Sequence, residues 1–508
     1  MTDPQPEFAR AGRREWIGLA VLAFPCFLLA MDFTVLHLAI PALTAELAPS
    51  SAQLLWIVDI YGFMIASSLI TMGTLGDRIG RRKLLLIGGA MFGLASISAA
   101  FANSASMLIV TRAVLGVAGA TLMPSTLALI RNMFHDEHQR RTAISIWINS
   151  FVIGGALGPL LGGITLEYFW WGAVFLLNVP VMLLLLALGP LLLPEFKDPN
   201  PGRLDLASVA LSLSGMLSVI YGIKLIAQDG FGAVPAISIV AGVVIGSMFV
   251  MRQKKLTHPL IDLSLFAVPP FSAAVGTQLI AALSMGGIYL FVAQYLQLVI
   301  GLSPLHAGIA LLPSTLSGIA ATTLAPFLAR RMPTTWIIAG GMALSSIGIA
   351  VLTQLGGASE LPLIVASYVI ISFGFSGAMT LTTDVIMSVA PPERAGAASG
   401  ISETSAELGM ALGIALLGSV GTAAYRSSMS SGLPHGIAST FYDEARATLA
   451  GAARVALELG DPLGPEVVAS AREAFAHALA LVSGISATLV IASAVITLVL
   501  LRQTMKPA

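Results

Sequence analysis

Asp32, Asp59, Arg112, Asp384, Glu403 and Glu407 lie inside long apolar runs of this chain. A charge in such a run is expensive, so each is a functional candidate. A carboxyl group held between desolvation, which favours its neutral form, and a nearby cation, which favours its charged form, can carry either a proton or a cation. That alternation is the chemical minimum for exchanging protons against a cationic solute. Asp32 lies ~24 Å along the first run, and Asp59 and Arg112 lie ~10 Å along the oppositely directed second and fourth, so the three share a depth. An unpaired Arg112 would be costly, and either acid could neutralise it. Glu403 and Glu407 are i and i+4 on one face, ~12 and ~18 Å deep, and Asp384 is shallower, ~10 Å from Pro391. A structural role stands beside the functional one: some of these acids only balance Arg112 or meet polar groups between helices.

The elements that must position these residues are membrane spans. The chain has 508 residues, 56% hydrophobic and only 10% charged, with zero net charge. Soluble domains average about a quarter charged residues, so this is an integral membrane protein, and no global field points to nucleic acid. A spanning helix needs about 20 apolar residues. Runs of that kind fall near 16–41, 52–75, 83–103, 105–130, 141–165, 171–193, 205–226 and 235–252. A second set follows near 270–300, 304–329, 334–354, 361–389, 395–424 and 478–502. The expected fold is all-α, with fourteen transmembrane helices in two six-helix halves and a two-helix central insertion. Its parts are an arm over 1–15, a first half over 16–193, linkers and the insertion over 194–262, and a second half over 263–508. The segment from about 425 to 477 has no run long enough to span and is read as a long connection with amphipathic helical pieces. The single cysteine, Cys26, excludes an internal disulfide.

Orientation follows from charge. Lysine and arginine gather in alternate turns: the N-terminal arm, 78–83, 131–141, 197–203, 252–255, 330–331 and Arg394. The intervening short turns carry neither, which places both termini in the cytoplasm. Lys224, near the outer end of the seventh span, departs from this pattern and is expected to snorkel to the interface.

The turn at 73–83, Gly-Thr-Leu-Gly-Asp-Arg-Ile-Gly-Arg-Arg-Lys, resembles the loop between helices 2 and 3 of the major facilitator superfamily. Gly73, Leu75, Asp77, Arg78, Gly80 and Arg81 carry the likeness. The run from Leu29 through Asp32 to Pro41 resembles the helix-1 pattern of drug:proton antiporters, with His37 where that pattern usually has asparagine. Leu108 through Arg112 to Ala120 is similar to their helix-4 pattern. Gly154, Gly158, Pro159 and Gly162 resemble the helix-5 pattern of exporters, and Trp170 through Pro180 a helix-6 pattern of the fourteen-helix branch. The nearest resemblance is to Qac-, Smv- and Lfr-type exporters of quaternary ammonium compounds. It implies coupling acids in helices 1, 2 and 13, here Asp32, Asp59 and the Glu403/Glu407 region, and a proton-coupling role for Arg112. It also implies that the 73–83 loop gates the cytoplasmic side. Small residues in helix 5 would allow close helix contact, and Pro159 would bend it.

The expected function is proton-coupled export of lipophilic organic cations across the bacterial cytoplasmic membrane. The protein would act as a monomer, with protons as the coupling ion and no other cofactor. Met31, Phe33, Trp56, Tyr61, Tyr289, Gln294 and Tyr295 are candidate substrate contacts, since aromatic faces attract organic cations and methionine adapts to shape. Packing against other helices or lipid is the plainer role for each. A same-fold transporter of another small solute is the alternative. The sequence has no Gly-x-x-x-x-Gly-Lys-Ser/Thr phosphate loop and no His-Glu-x-x-His, so an enzyme is not expected.

Overall fold

In the computed structural model, residues 11–197, 205–256, 259, 263–356, 360–390, 395–434 and 437–501 are described. The first half contains α1 (Arg13–Leu47), α2 (Ser51–Ile79), α3 (Arg81–Ala100), α4 (Ala105–Met133) and α5 (Glu137–Tyr168). Its sixth span is the short α6 (Ala173–Leu176) continued by α7 (Asn178–Leu192). The insertion is α8 (Leu206–Asp229) with α9 (Ala233–Lys255). The second half contains α10 (Pro269–Gln294), a π turn over Tyr295–Val299, α11 (Pro304–Ala329), α12 (Thr334–Val351), α13 (Leu361–Val389) and α14 (Ala395–Gly432). It ends with α15 (Ser439–Ala447), α16 (Leu449–Leu459) and α17 (Leu463–Leu501).

Among the described residues, thirteen helices are long and apolar enough to cross a membrane, and α5 makes fourteen when its two arms count as one span. Those arms, Thr142–Gly155 and Leu157–Tyr168, meet at 42°. Pro159 sits just past the bend; a proline ring cannot donate to the carbonyl four residues back and crowds it, which opens the helix there. Polar side chains start the helices sharply. Ser50 accepts from Gln53 N at α2, Ser104 from Met107 N at α4, and Ser303 from His306 N at α11. Each satisfies an amide that hydrocarbon could not.

The segment expected as a connection is largely helical. α14 runs on to Gly432 and α17 begins at Leu463, fifteen residues before the expected 478, with α15 and α16 between. Apolar-run reading finds only the membrane's thickness. The alanine-rich flanks keep helix propensity beyond it, with their charges turned outward. This segment is also docked. Tyr425 donates to the Ala445 carbonyl at 3.0 Å, and Ser51 of α2 donates to the Ala447 carbonyl at 2.6 Å. The second half thus reaches over the first at the end of the molecule opposite the 73–83 loop.

Candidate functional site

Backbone proximity sets the site's frame. Along α5, Gly154, Gly158 and Gly162 recur at four-residue spacing and face α1. A Cβ on Gly154 would stand 2.1 Å from the Phe27 carbonyl oxygen, and one on Gly158 would stand 1.9 Å from Thr34 Oγ1. The exporter-like face therefore seats α1, the helix that carries Asp32. The next residue round, Gly163, serves the other half, where a Cβ would lie 2.7 Å from the Pro304 carbonyl oxygen of α11. With Gly308 set against Pro159 of α5, and Gln297 donating to the Leu38 carbonyl at 3.0 Å, the two halves meet closely at the end away from the 73–83 loop.

Within this frame the buried acids of the first half are already paired. Arg112 Nη1 of α4 donates to Asp32 Oδ2 of α1 at 2.5 Å, and both side chains are buried. Arg112 Nε also donates to the Ile57 carbonyl at 3.2 Å, and the guanidinium stacks 4.4 Å from the centre of the Tyr61 ring. Asn178 donates to Asp32 Oδ1 at 3.4 Å and to Ser96 Oγ at 3.3 Å. The similar depths expected for Asp32 and Arg112 are therefore realised as a bonded pair.

Asp59 lies apart from that pair, bonded to Lys224. Lys224 Nζ of α8 donates to Asp59 Oδ1 at 3.0 Å and sits 3.8 Å from the centre of the Trp56 ring. Each of the two residues is 1% exposed. The expectation that Lys224 snorkels to the membrane surface is corrected here. A carboxylate and an indole face within reach satisfy the ammonium where it stands, so the chain need not stretch to water.

The acid that lines a cavity is Glu407. A space of about 340 Å³ between the halves is walled by Phe33 of α1, Met123 of α4, Phe151 of α5, Gln278 of α10, Phe375 and Met379 of α13, and Glu407 and Met410 of α14. Among the described residues no ion pair reaches Glu407. Glu403, one turn earlier, is not part of this wall. Asp384 is exposed on α13 and does not join the others.

The proposed contacts divide. Phe33 lines the cavity and meets the Tyr61 ring edge-on. Trp56 and Tyr61 lie against Lys224 and Arg112. Met31 and Tyr295 are buried in the core, and Gln294 borders a crevice of about 30 Å³ near Tyr425. Tyr289 stacks on His37 with centroids 6.1 Å apart, and His37 Nδ1 has no hydrogen-bond partner among the described residues. Sequence reasoning missed Met123, Phe151, Phe375, Met379 and Met410. Their one signal is spacing: Phe375 with Met379 (i, i+4) and Glu407 with Met410 (i, i+3) each share a helix face.

At the loop end, Asp77 and Arg81 form an ion pair one turn apart, and Arg78 is exposed. Gly73 lies near Pro124 of α4. Gly80 adopts φ +111°, and a Cβ there would stand 2.6 Å from Glu195. Glycine alone meets both demands without strain. The Glu195 carboxylate accepts from the amides of Arg82 and Lys83 at 3.0 and 3.1 Å, capping α3 from the linker after α7. Anions are favoured at a helix start. Asp77 is thus held by Arg81, and Glu195 takes the start of α3.

Comparison with known proteins agrees in family. The model of the Major Facilitator Superfamily matches residues 22–414. The chain is 42% identical over 498 residues to the multidrug efflux pump LfrA of Mycolicibacterium smegmatis, covering 98% of each. It is 34% identical over 482 residues to the methyl viologen resistance protein SmvA of Salmonella typhimurium, covering 94% of this chain and 97% of the relative. Among solved structures, a bacterial homolog of the human lysosomal transporter Spinster superposes with a TM-score of 0.68 at 17% identity, covering 98% of this chain and 100% of the other.

Proposed function

Because this chain belongs to the Major Facilitator Superfamily, and is a multi-pass membrane transporter rather than an enzyme, we propose that it exports lipophilic organic cations in exchange for protons. The observation that carries this reading is the cavity between the halves. Its wall is aromatic and methionine-rich, and Glu407 is its carboxyl group. Aromatic faces attract organic cations, thioethers adapt to varied shapes, and a carboxylate supplies the charge. Glu407 takes a proton when the cavity is empty and releases it when a cation arrives. The Asp32–Arg112 pair is the second proposed element: a proton on Asp32 would free Arg112 and loosen α1 from α4. Relatives whose names speak of multidrug efflux and methyl viologen resistance support substrates of this kind, methyl viologen being a flat aromatic dication.

In the proposed cycle the described conformation is closed at the far end, by Gly163 against Pro304 and Pro159 against Gly308. The loop end, with Asp77 and Arg81 as its gating pair, faces the cytoplasm. The protein then sits in a bacterial cytoplasmic membrane with both termini on the cytoplasmic side, and a monomer suffices. Purified protein in liposomes with an imposed pH gradient tests the proposal. Ethidium should accumulate only while the gradient stands and collapse with a protonophore, whereas uptake indifferent to the gradient would contradict proton coupling.

A further inference from the structure

The two buried acids of the first half differ in where their cations come from. Arg112 belongs to the same half as Asp32. Lys224 belongs to the insertion, outside both halves, yet its side chain is 1% exposed and its ammonium lies 3.0 Å from Asp59 Oδ1 and 2.8 Å from Oδ2. Oδ2 accepts no hydrogen bond in good geometry among the described residues, so the carboxylate retains acceptor capacity. A carboxylate behind an indole face is the chemistry that recognises ammonium ions in general, tethered or free.

The hairpin that carries Lys224 is bound chiefly to itself. Arg252 donates to Asp205 at 2.9 Å, Gln253 donates to Ser208 Oγ at 2.7 Å, and a Cβ on Gly242 would stand 2.6 Å from the Gly215 carbonyl oxygen. Between the hairpin and the bundle lies an apolar space of about 730 Å³, bordered by Ser67 of α2, Met216 and Ile220 of α8, and Thr404, Leu408 and Leu412 of α14. Ile220 is one helical turn from Lys224, and Ser67 is two turns from Asp59 on the same face of α2. The Thr404 hydroxyl is buried without a hydrogen-bond partner among the described residues. The space opens along the seam between hairpin and bundle, one turn of α8 from Lys224, and is bordered by none of Asp59, Lys224 and Trp56.

We propose that Lys224 is a tethered competitor at a second cation site. It holds its own ammonium between Asp59 and Trp56, and an organic cation engages that site only when Lys224 has withdrawn with the α8–α9 hairpin. This rests on the reading of the protein as a cation exporter. It gives the insertion a part in selectivity: a substrate must displace an amine already in place, which favours weakly hydrated organic cations that the Trp56 face can receive over small hydrated ones.

Equilibrium binding of ethidium to purified full-length protein in detergent decides it. Lys224→Gln should bind ethidium about tenfold more tightly than the unaltered chain, the order expected when a competitor that fills a site most of the time is removed. Asp59→Asn should bind more weakly, and Asp59→Asn/Lys224→Gln should gain nothing over Asp59→Asn alone. A folded Lys224→Gln protein with unchanged or weaker affinity would overturn the proposal and leave the pair as a brace. A gain that persists in the double variant would also overturn it, because the effect would not pass through Asp59. Absence of ethidium binding by the unaltered chain would instead overturn the exporter reading itself. If Lys224→Gln fails to fold, reductive methylation of the unaltered protein answers the same question. Ethidium should raise labelling of Lys224, read by mass spectrometry, and equal labelling with and without dye would refute withdrawal.

Discussion

The two six-helix halves treat buried charge in opposite ways. The first neutralises its acids: Asp32 is bonded to Arg112, and Asp59 to a lysine supplied from the insertion. The second leaves Glu407 on the wall of the cavity, with no ion pair among the described residues. Desolvating two charges costs several kcal/mol per ion, and mutual attraction offsets that only when the geometry is good. The first half meets this condition with a short hydrogen bond and an aromatic face over each cation. Among the described residues Glu407 has neither, so on the proposed function its charge is balanced by a proton or by a cation brought into the cavity. On the proposed function, the first half supplies a scaffold with conditional coupling and the second supplies the exchangeable acid.

The comparison breaks most sharply at the buried pair. Arg112→Ala would strand Asp32 and should destabilise the protein by about 3–5 kcal/mol. Asp32→Ala/Arg112→Ala should recover much of that loss in a thermal unfolding series in detergent. If the double variant is no more stable than the single, the pair is not the neutralising unit described. A partly exposed pair should count for less. Asp77→Ala removes the partner of Arg81, where exchange of a surface ion pair is worth ~0.2–1 kcal/mol. Transport should slow while ethidium binding holds, and an unchanged rate would exclude the loop from gating.

The smallest effect is expected at the insertion's surface. There the Arg252 guanidinium, helped by Ser208, holds the Asp205 carboxyl at about 2, below its ordinary 3.8. A depressed carboxyl contributes stability that is present above its ordinary value and lost as pH falls through the folded one. The difference in unfolding temperature between the unaltered protein and Arg252→Gln should therefore be slight and constant at neutral pH, and should vanish between about 4 and 2. A difference that persists below pH 2 would assign the effect to packing of the arginine stem.

Much of the architecture was legible because the bilayer imposes length. Spans of about twenty apolar residues and alternation of charged turns predict the helices, and the helical rise brings Asp32 and Arg112 to one depth. The glycine face of α5 was legible as a close contact because its residues recur every fourth position. What could not be read was rotation and partner choice. Depth alone left Asp32 and Asp59 equivalent toward Arg112; helix packing gave Arg112 to Asp32 and brought Lys224 in from a helix outside either half. Glu403 and Glu407 share a helical face in the sequence, and only the packed bundle separates the one that lines the cavity. The extension of α14 and α17 beyond the apolar runs escaped for a related reason: hydropathy marks the membrane, while helix propensity decides where a helix ends.

The central claim is that one carboxyl group holds either a proton or a cation. Proton release on ethidium binding to purified protein, followed in weakly buffered detergent solution, addresses it directly. The unaltered protein should release protons as dye binds, and Glu407→Gln should bind dye more weakly and release none, while Glu403→Gln still releases them. Undiminished proton release from Glu407→Gln would contradict the assignment and move the exchangeable acid elsewhere.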